Sequence, residues 1–245
     1  MGEFTGLSVL LLASNERELL RRTIDGAADA CGADLKEIVI LLLSPDCPAA
    51  AECGAIGDTW KGVPLRCVVQ RKKGVLNAVA ELVFAARTSH FVLMSSDLEM
   101  DPRTLARLLP VARAHPDAIV CASKWQRGSV IRGYSLFYRI ANRTVNLLAA
   151  RLVGSDGRDL FTVYQIYPLS LFEAMGFSPD DRLVFEYTLR PVCRGAEYIE
   201  LPTVFRRRPQ RRSRSSLRLL VTLFFRFLAA AVRLRAERRR LSPEA

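Results

Sequence analysis

The sequence predicts an α/β protein built on an open, mostly parallel sheet flanked by helices. Three observations carry that expectation. Apolar segments of strand length alternate with helical patterns over roughly the first 120 residues, the mark of parallel α/β architecture. The strand segments are continuous apolar runs, as strands covered on both faces require. Charge is also segregated: from Thr203 onward thirteen Arg face only Glu237 and Glu244, which equals the formal +11 of the whole chain. Residues 1–202 therefore sum to zero, and the basicity belongs to the C-terminal segment.

Taken in order, residues 7–13 form the first strand. Asn15 is placed to cap a helix reaching about Ala30, with Leu19, Leu20, Ile24 and Ala27 at helical spacing. Residues 37–43 give a second strand and 65–69 a third. The helix after Gly74 gathers Leu76, Val79, Ala80, Val83 and Phe84 on one face. Residues 91–94 form a fourth strand, and Asp101-Pro102 opens the next helix as cap and first-turn residue. Residues 118–122 are the fifth strand. Past Gly128 the alternation lapses. Residues 136–153 read as a helix with Arg139, Asn142, Arg143 and Asn146 along one face. Residues 159–167 read as loop then strand, 185–194 as a helix, and 197–205 as extended chain.

Half of the 245 residues are hydrophobic, enough for one sizeable core, here assigned to residues 1–205. The six cysteines form no CxxC pair, and with His90 and His115 alone no Cys/His zinc site is legible. No charged leader precedes an apolar stretch at the N-terminus, so the expected compartment is cytoplasmic. No GxGxxG follows the first strand, which argues against a dinucleotide fold. In such sheets ligands sit at the carboxyl ends of strands. That rule selects residues 14–16, 44–46 and 95–99.

The last of these, Ser95-Ser96-Asp97-Leu98-Glu99, follows a strand directly. Two carboxylates two residues apart on an extended segment point to one side and can clamp a divalent cation, Mg²⁺ or Mn²⁺, shared with diphosphate oxygens. Arg71, Lys72 and Lys73 precede Gly74 at a helix start, where backbone amides and the helix dipole favour phosphate. Arg139 and Arg143, on an otherwise apolar helix, suit a phosphate oxygen.

Six stretches in order resemble the family-two glycosyltransferases, specifically the dolichyl-phosphate mannose synthase and polyprenyl-phosphate branch. Residues 7–16 resemble the opening strand with its Asn-Glu turn, and 70–78 (QRKKGVLNA) the loop over the donor phosphates. Residues 94–102 resemble the metal segment, 138–150 the R-x(6)-N helix, and 159–167 the D-x-T-S-G-F-R-x-Y segment. Residues 185–209 resemble the F-E…E-x-P-x-x-F-x-x-R stretch most closely. The resemblance implies a GT-A fold and inverting transfer of a sugar from a nucleotide-sugar donor to a polyprenyl phosphate. It implies donor contacts from Asn15, Glu16, Lys72, Lys73, Gly74 and Asp97, and a metal on Asp97 and Glu99. Acceptor-phosphate contacts fall to Arg139, Arg143, Asp159, Arg206 and Arg208. Asp97, Arg139 and Glu186 fall in catalytic positions, Glu186 as a general base or as an organiser of the site. Ser95 stands where the family has its first Asp, and Leu42-Leu43 where it has an acidic pair. Those departures leave a second reading open, a catalytically degenerate scaffold of the same fold.

The segment 206–245 reads as an Arg-rich tail. Its apolar stretch, residues 217–232, is broken by Arg218, Thr222 and Arg226, too short and too charged to span a bilayer. On a helical wheel Leu220, Phe224, Leu228 and Ala231 oppose the arginines, which predicts a basic amphipathic helix on the inner, anionic membrane face. That apolar content argues against nucleic acid as the partner, since tracking phosphates needs none.

Overall fold

A computed structural model describes residues 2–72, 75–178, 186–207 and 217–241. The chain alternates β1 (Leu7–Ala13), α1 (Glu18–Cys31), β2 (Leu35–Leu42), α2 (Pro48–Ile56), β3 (Thr59–Trp60), β4 (Val63–Val69), α3 (Val75–Val83) and β5 (His90–Ser95). It continues through α4 (Leu105–Ala114), β6 (Ile119–Ser123), β7 (Val130–Arg132), α5 (Leu136–Val153), β8 (Gln165–Pro168), α6 (Leu169–Ala174), α7 (Glu186–Cys193), β9 (Tyr198–Pro202), β10 (Val204–Arg206) and α8 (Leu217–Leu241). Eight strands form one sheet in the order β3-β4-β2-β1-β5-β8-β6-β9, while β10 and β7 pair separately. Strands β4, β2, β1 and β5 run parallel, and β8 enters antiparallel between β5 and β6.

The continuous apolar runs have the expected cause. Along β1, Leu7, Val9 and Leu11 face one core while Leu10 faces the other. Helices α1, α2 and α4 cover the first face; α3, α5, α7 and α8 cover the second. Fully burying each such Leu or Val contributes about 1.5–3 kcal/mol, so both faces are strongly specified.

Several sequence expectations need correction. Asn15 does not cap α1, which starts at Glu18 after Arg17 and has no side-chain cap. The nearby carboxylate of Glu16 instead accepts the amides of Ser14 (2.8 Å) and Asn15 (2.9 Å), leaving the loop no reason to enter the helix sooner. Helix α2 escaped prediction because its small residues, PAAAECGAI, show no helical apolar period. Asp101 does cap, accepting from the Arg103 amide at 3.1 Å, but it opens a short 3-10 turn that leads into α4.

The C-terminal helix departs further. Phe227, Ala230, Ala231 and Leu234 are buried in the same core as Val145, Ala149, Ala150 and Val153 of α5. Phe224 and Leu228, read as lipid-facing, pack against that core, and Ala231 is fully buried within it. Leu220's side chain lies outside the described residues. Strand β10 runs through the division drawn at 205/206, and α8 sits in the domain's core, so the charge boundary is not a packing boundary. Among the described residues no helix is long and apolar enough to cross a membrane.

Candidate active site

Three strand ends are laced together at one edge of the sheet. Ser96 Oγ donates to the Leu12 carbonyl (2.8 Å), the Leu43 amide to Ala13 (3.2 Å), and the Ala49 amide to Ser14 (3.1 Å). The carboxyl ends of β1, β2 and β5 therefore meet, as the switch-point rule requires.

The segment after β5 is a turn and not the extended chain that the two-residue spacing assumed. Leu98 sits at φ 57°, a left-handed conformation that costs a bulky residue about 1–2 kcal/mol and persists only where its surroundings impose it. The two carboxylates are consequently held by different partners. Asp97, 6% exposed, accepts from Ser95 Oγ and from the Glu99 amide (3.1 Å). Glu99 accepts from the Tyr134 hydroxyl. Among the described residues no three His, Cys, Asp or Glu side chains converge as a metal cage.

The basic loop is also arranged differently. Its amides at Arg71 (2.8 Å) and Lys72 (2.9 Å) donate to the Glu81 carboxylate of α3, which occupies the position expected for phosphate. Lys72 itself is exposed. Lys73, Gly74 and Arg208 lie outside the described residues.

A second cluster faces the Asp97 turn. The Arg206 amide donates to the Glu99 carbonyl (3.2 Å), and Met100 bridges to Phe205, so β10 lies against the metal segment. Burial pushes the Asp101 carboxyl upward, but hydrogen bonds from Arg103 and the nearby Arg206 charge outweigh it and hold the carboxyl below its usual range. Tyr134 stacks on Tyr138 (4.5 Å between centroids) and Phe205 (5.5 Å), with the Arg207 guanidinium over its ring at 5.9 Å. Burial, then the Glu99 and Asp159 charges, drive the Tyr138 phenol well above its ordinary range, so it stays a neutral hydroxyl.

Behind this cluster Lys124 and Asp159 form a buried ion pair at 2.9 Å, their side chains 5% and 0% exposed. Asp159 also accepts the Lys124 amide (2.7 Å), and Lys124 lies over the Phe205 ring at 5.2 Å. Asp159 thus holds a cation in place and is not a surface for acceptor phosphate. A buried carboxylate would repel such a ligand. Glu200 accepts the amides of Arg158 and Asp159, and burial raises its carboxyl.

The polar seam of α5 divides along its length. Asn142 and Asn146 are fully buried: Asn142 takes the Trp125 indole N–H (2.9 Å) and Asn146 the Phe161 amide (2.7 Å). Arg143 is half-buried over the Trp125 ring at 5.3 Å, and Arg139 emerges exposed near the helix start. Only the arginine end of the face can meet a ligand. Glu186 is elsewhere, ion-paired to Arg190 of α7 and to Arg233 of α8, where it joins two helices.

Lys124, Trp125, Tyr134 and Tyr138 were missed from sequence. Lys124 and Trp125 stand directly after the fifth strand, where the strand-end rule would have found them. The two tyrosines carry no comparable signal.

Solved structures share this architecture. Glucosyl-3-phosphoglycerate synthase from Mycobacterium tuberculosis, solved with Mn²⁺, UDP-glucose and phosphoglyceric acid, superposes with TM-score 0.68 at 17% identity, over 95% of this chain and 80% of that one. The same enzyme with UDP gives 0.67 at 18% identity with equal coverage. A further mycobacterial protein gives 0.65 at 17%, over 95% of this chain and 75% of that chain. At such identities the likeness establishes the fold alone. No curated protein sequence matches the chain significantly. Residues 8–176, more than two thirds of the chain, match the model of Glycosyl transferase family 2. The chain belongs to glycosyl transferase family 2 and is a nucleotide-sugar glycosyltransferase.

Proposed function

We propose that this enzyme transfers a sugar from a nucleoside-diphosphate donor to a phosphate-bearing acceptor, and that the acceptor is a membrane lipid phosphate of the polyprenyl type. The observation that carries the reading is the meeting of the Asp97–Glu99 turn with Arg206 on β10. It sets carboxylates suited to the donor's metal beside cations suited to an acceptor phosphate.

The donor occupies the joined ends of β1, β2 and β5, where the exposed Lys72 meets its diphosphate as a point charge. Asp97 and Glu99 offer hard oxygen donors to a divalent cation whose shell the donor diphosphate would complete. When bound, such an ion offsets charge developing on the departing nucleoside diphosphate. The Tyr134 hydroxyl and Leu98's enforced conformation fix the direction of the two carboxylates. Arg139, Arg143 and Arg206 hold the acceptor phosphate, one oxygen of which attacks the anomeric carbon as the bond to the diphosphate breaks and its electron pair leaves with the nucleotide. In-line attack inverts the centre. A phosphate oxygen is already ionised and needs no general base, which agrees with Glu186 being engaged in helix packing.

The solved relatives pair UDP-glucose with phosphoglyceric acid, a small soluble phosphate. They make UDP-glucose the first donor to test and phosphoglycerate the rival acceptor. The lipid reading rests on the Arg-rich C-terminal segment, which also supports a peripheral position on the cytoplasmic membrane face. Thermal stabilisation by a panel of nucleotide sugars, with and without Mn²⁺, identifies the donor; saturation at a hundred times Kd adds about 2.7 kcal/mol. Radiolabelled transfer to phosphoglycerate and to a short polyprenyl phosphate then identifies the acceptor. Stabilisation without turnover on any phosphate would instead favour the scaffold reading.

A further inference from the structure

Helix α5 buries one side and leaves the other unusually apolar. Leu136 (68% exposed), Phe137 (71%), Ile140, Leu147 and Leu148 recur along its outer face over three turns. Lone exposed apolar residues are ordinary, but an aligned strip of five is not. Helix α8 repeats the arrangement, with Val221, Phe225 (70%) and Val232 on its outer side. The two helices are neighbours that run the same way. Phe161, bound through its amide to Asn146, packs edge-on to Phe224 and Phe227, and further along Arg238 donates to the Val153 carbonyl at 3.3 Å. Their inner sides enter one core, so their outer strips are presented together.

The margins of this surface carry one sign of charge. Exposed Arg139 and Arg151 lie on α5, and exposed Arg226 and Arg235 on α8, while α5 holds no acidic residue and α8 holds only Glu237. A second copy docked face to face would set arginine against arginine, a juxtaposition that opposes association. Anionic headgroups complement the same margins while the apolar strip enters the acyl boundary.

We propose that the outer faces of α5 and α8 together form the surface on which this enzyme docks to an anionic bilayer. The inference deepens the lipid-acceptor reading and rests on it for its purpose: α5 carries Arg139 at its first turn, so the helix lying on the membrane also delivers the residue that meets the acceptor phosphate. The strip differs from the face that the helical wheel assigned to lipid, which is packed in the core.

The test is co-sedimentation of the full chain with vesicles of phosphatidylcholine alone or with about a third phosphatidylglycerol. Wild-type protein should partition onto the anionic vesicles and be only partly released by high salt, because apolar insertion is not screened. Phe137→Glu with Ile140→Glu should lower that partition by roughly tenfold or more, and Phe225→Glu should lower it by a smaller factor. All three side chains are exposed, so circular dichroism and melting temperature should be unchanged. Unchanged vesicle binding in the Phe137/Ile140 variant, or wild-type protein left in the supernatant, overturns the proposal. So does a dimer in light scattering that the same variant dissociates without any vesicle binding, since a second copy then covers the strip. Nucleotide-sugar stabilisation, measured in parallel, separates the failures. Its absence overturns the transfer reading while leaving vesicle binding in place, and its presence without vesicle binding overturns the docking surface alone.

Discussion

The two halves of the candidate site meet but hold their side chains by different means. On the β1–β2–β5 side, nearby chain holds the carboxylates: Glu16 accepts the amides of its own loop, and Asp97 accepts from Ser95 and Glu99. On the β6–β9–β10 side, partners come from far along the chain: Lys124 meets Asp159, Tyr134 meets Glu99, and the Arg206 amide meets the Glu99 carbonyl. The first half can change a side chain and keep its shape. The second is a set of mutual dependencies, in which loss of one member strands another.

The largest effect should fall on the second half. Lys124→Met leaves the Asp159 charge buried without its partner, and urea unfolding should show a loss of about 3–5 kcal/mol. Lys124→Met combined with Asp159→Leu should recover most of that loss. If the single variant proves harmless, Lys124 is not held as an interdependent member and the contrast collapses.

Asp97→Asn tests the first half, where function should change and shape should not. The amide keeps an oxygen for Ser95 and the Glu99 amide, so melting should barely move. Turnover should drop about 10²–10³-fold with loss of electrostatic stabilisation of the leaving group. Unfolding of comparable severity to Lys124→Met would make Asp97 structural.

Arg206→Ala lies where the halves touch. Removing its charge-assisted contact should raise the acceptor KM by roughly tenfold with a smaller change in kcat. An equal fall in kcat alone would place Arg206 on the leaving group.

The smallest effect concerns His90, at the opposite, amino-terminal end of β5. Its Nε2 donates to the Pro116 carbonyl at 2.8 Å, and burial lowers its pKa from the ordinary 6.5. The unfolded chain therefore binds a proton that the folded one refuses. Stability is fully present above about pH 6.5 and falls as the pH drops toward the folded value, with a slope of at most about 1.4 kcal/mol per pH unit. His90→Asn should flatten that slope in denaturation series between pH 5 and 7, while leaving transfer at pH 8 unchanged.

The sequence by itself determined the parallel half and its crevice. Continuous apolar runs require a sheet covered on both faces, and a parallel sheet puts its ligands at strand ends, so residues 14–16 and 95–99 were legible from pattern alone. The charge partition, the length of α5 and the Asp101 cap were legible for the same reason: each is a property of neighbours in the chain. Tertiary structure decided the rest. Only packing shows that Leu98 bends the Asp97–Glu99 segment into a turn, and that Glu81 takes the amides expected to hold phosphate. It also draws Asp159 inward to Lys124 and Glu186 away to α7 and α8. A wheel drawn for α8 ranks its faces by hydropathy, but both sides of that helix carry apolar residues, and which of them meets the core depends on α5 and α7 lying beside it. Periodicity encodes how a segment divides its faces, whereas the partner of each face is set by contacts between residues tens of positions apart.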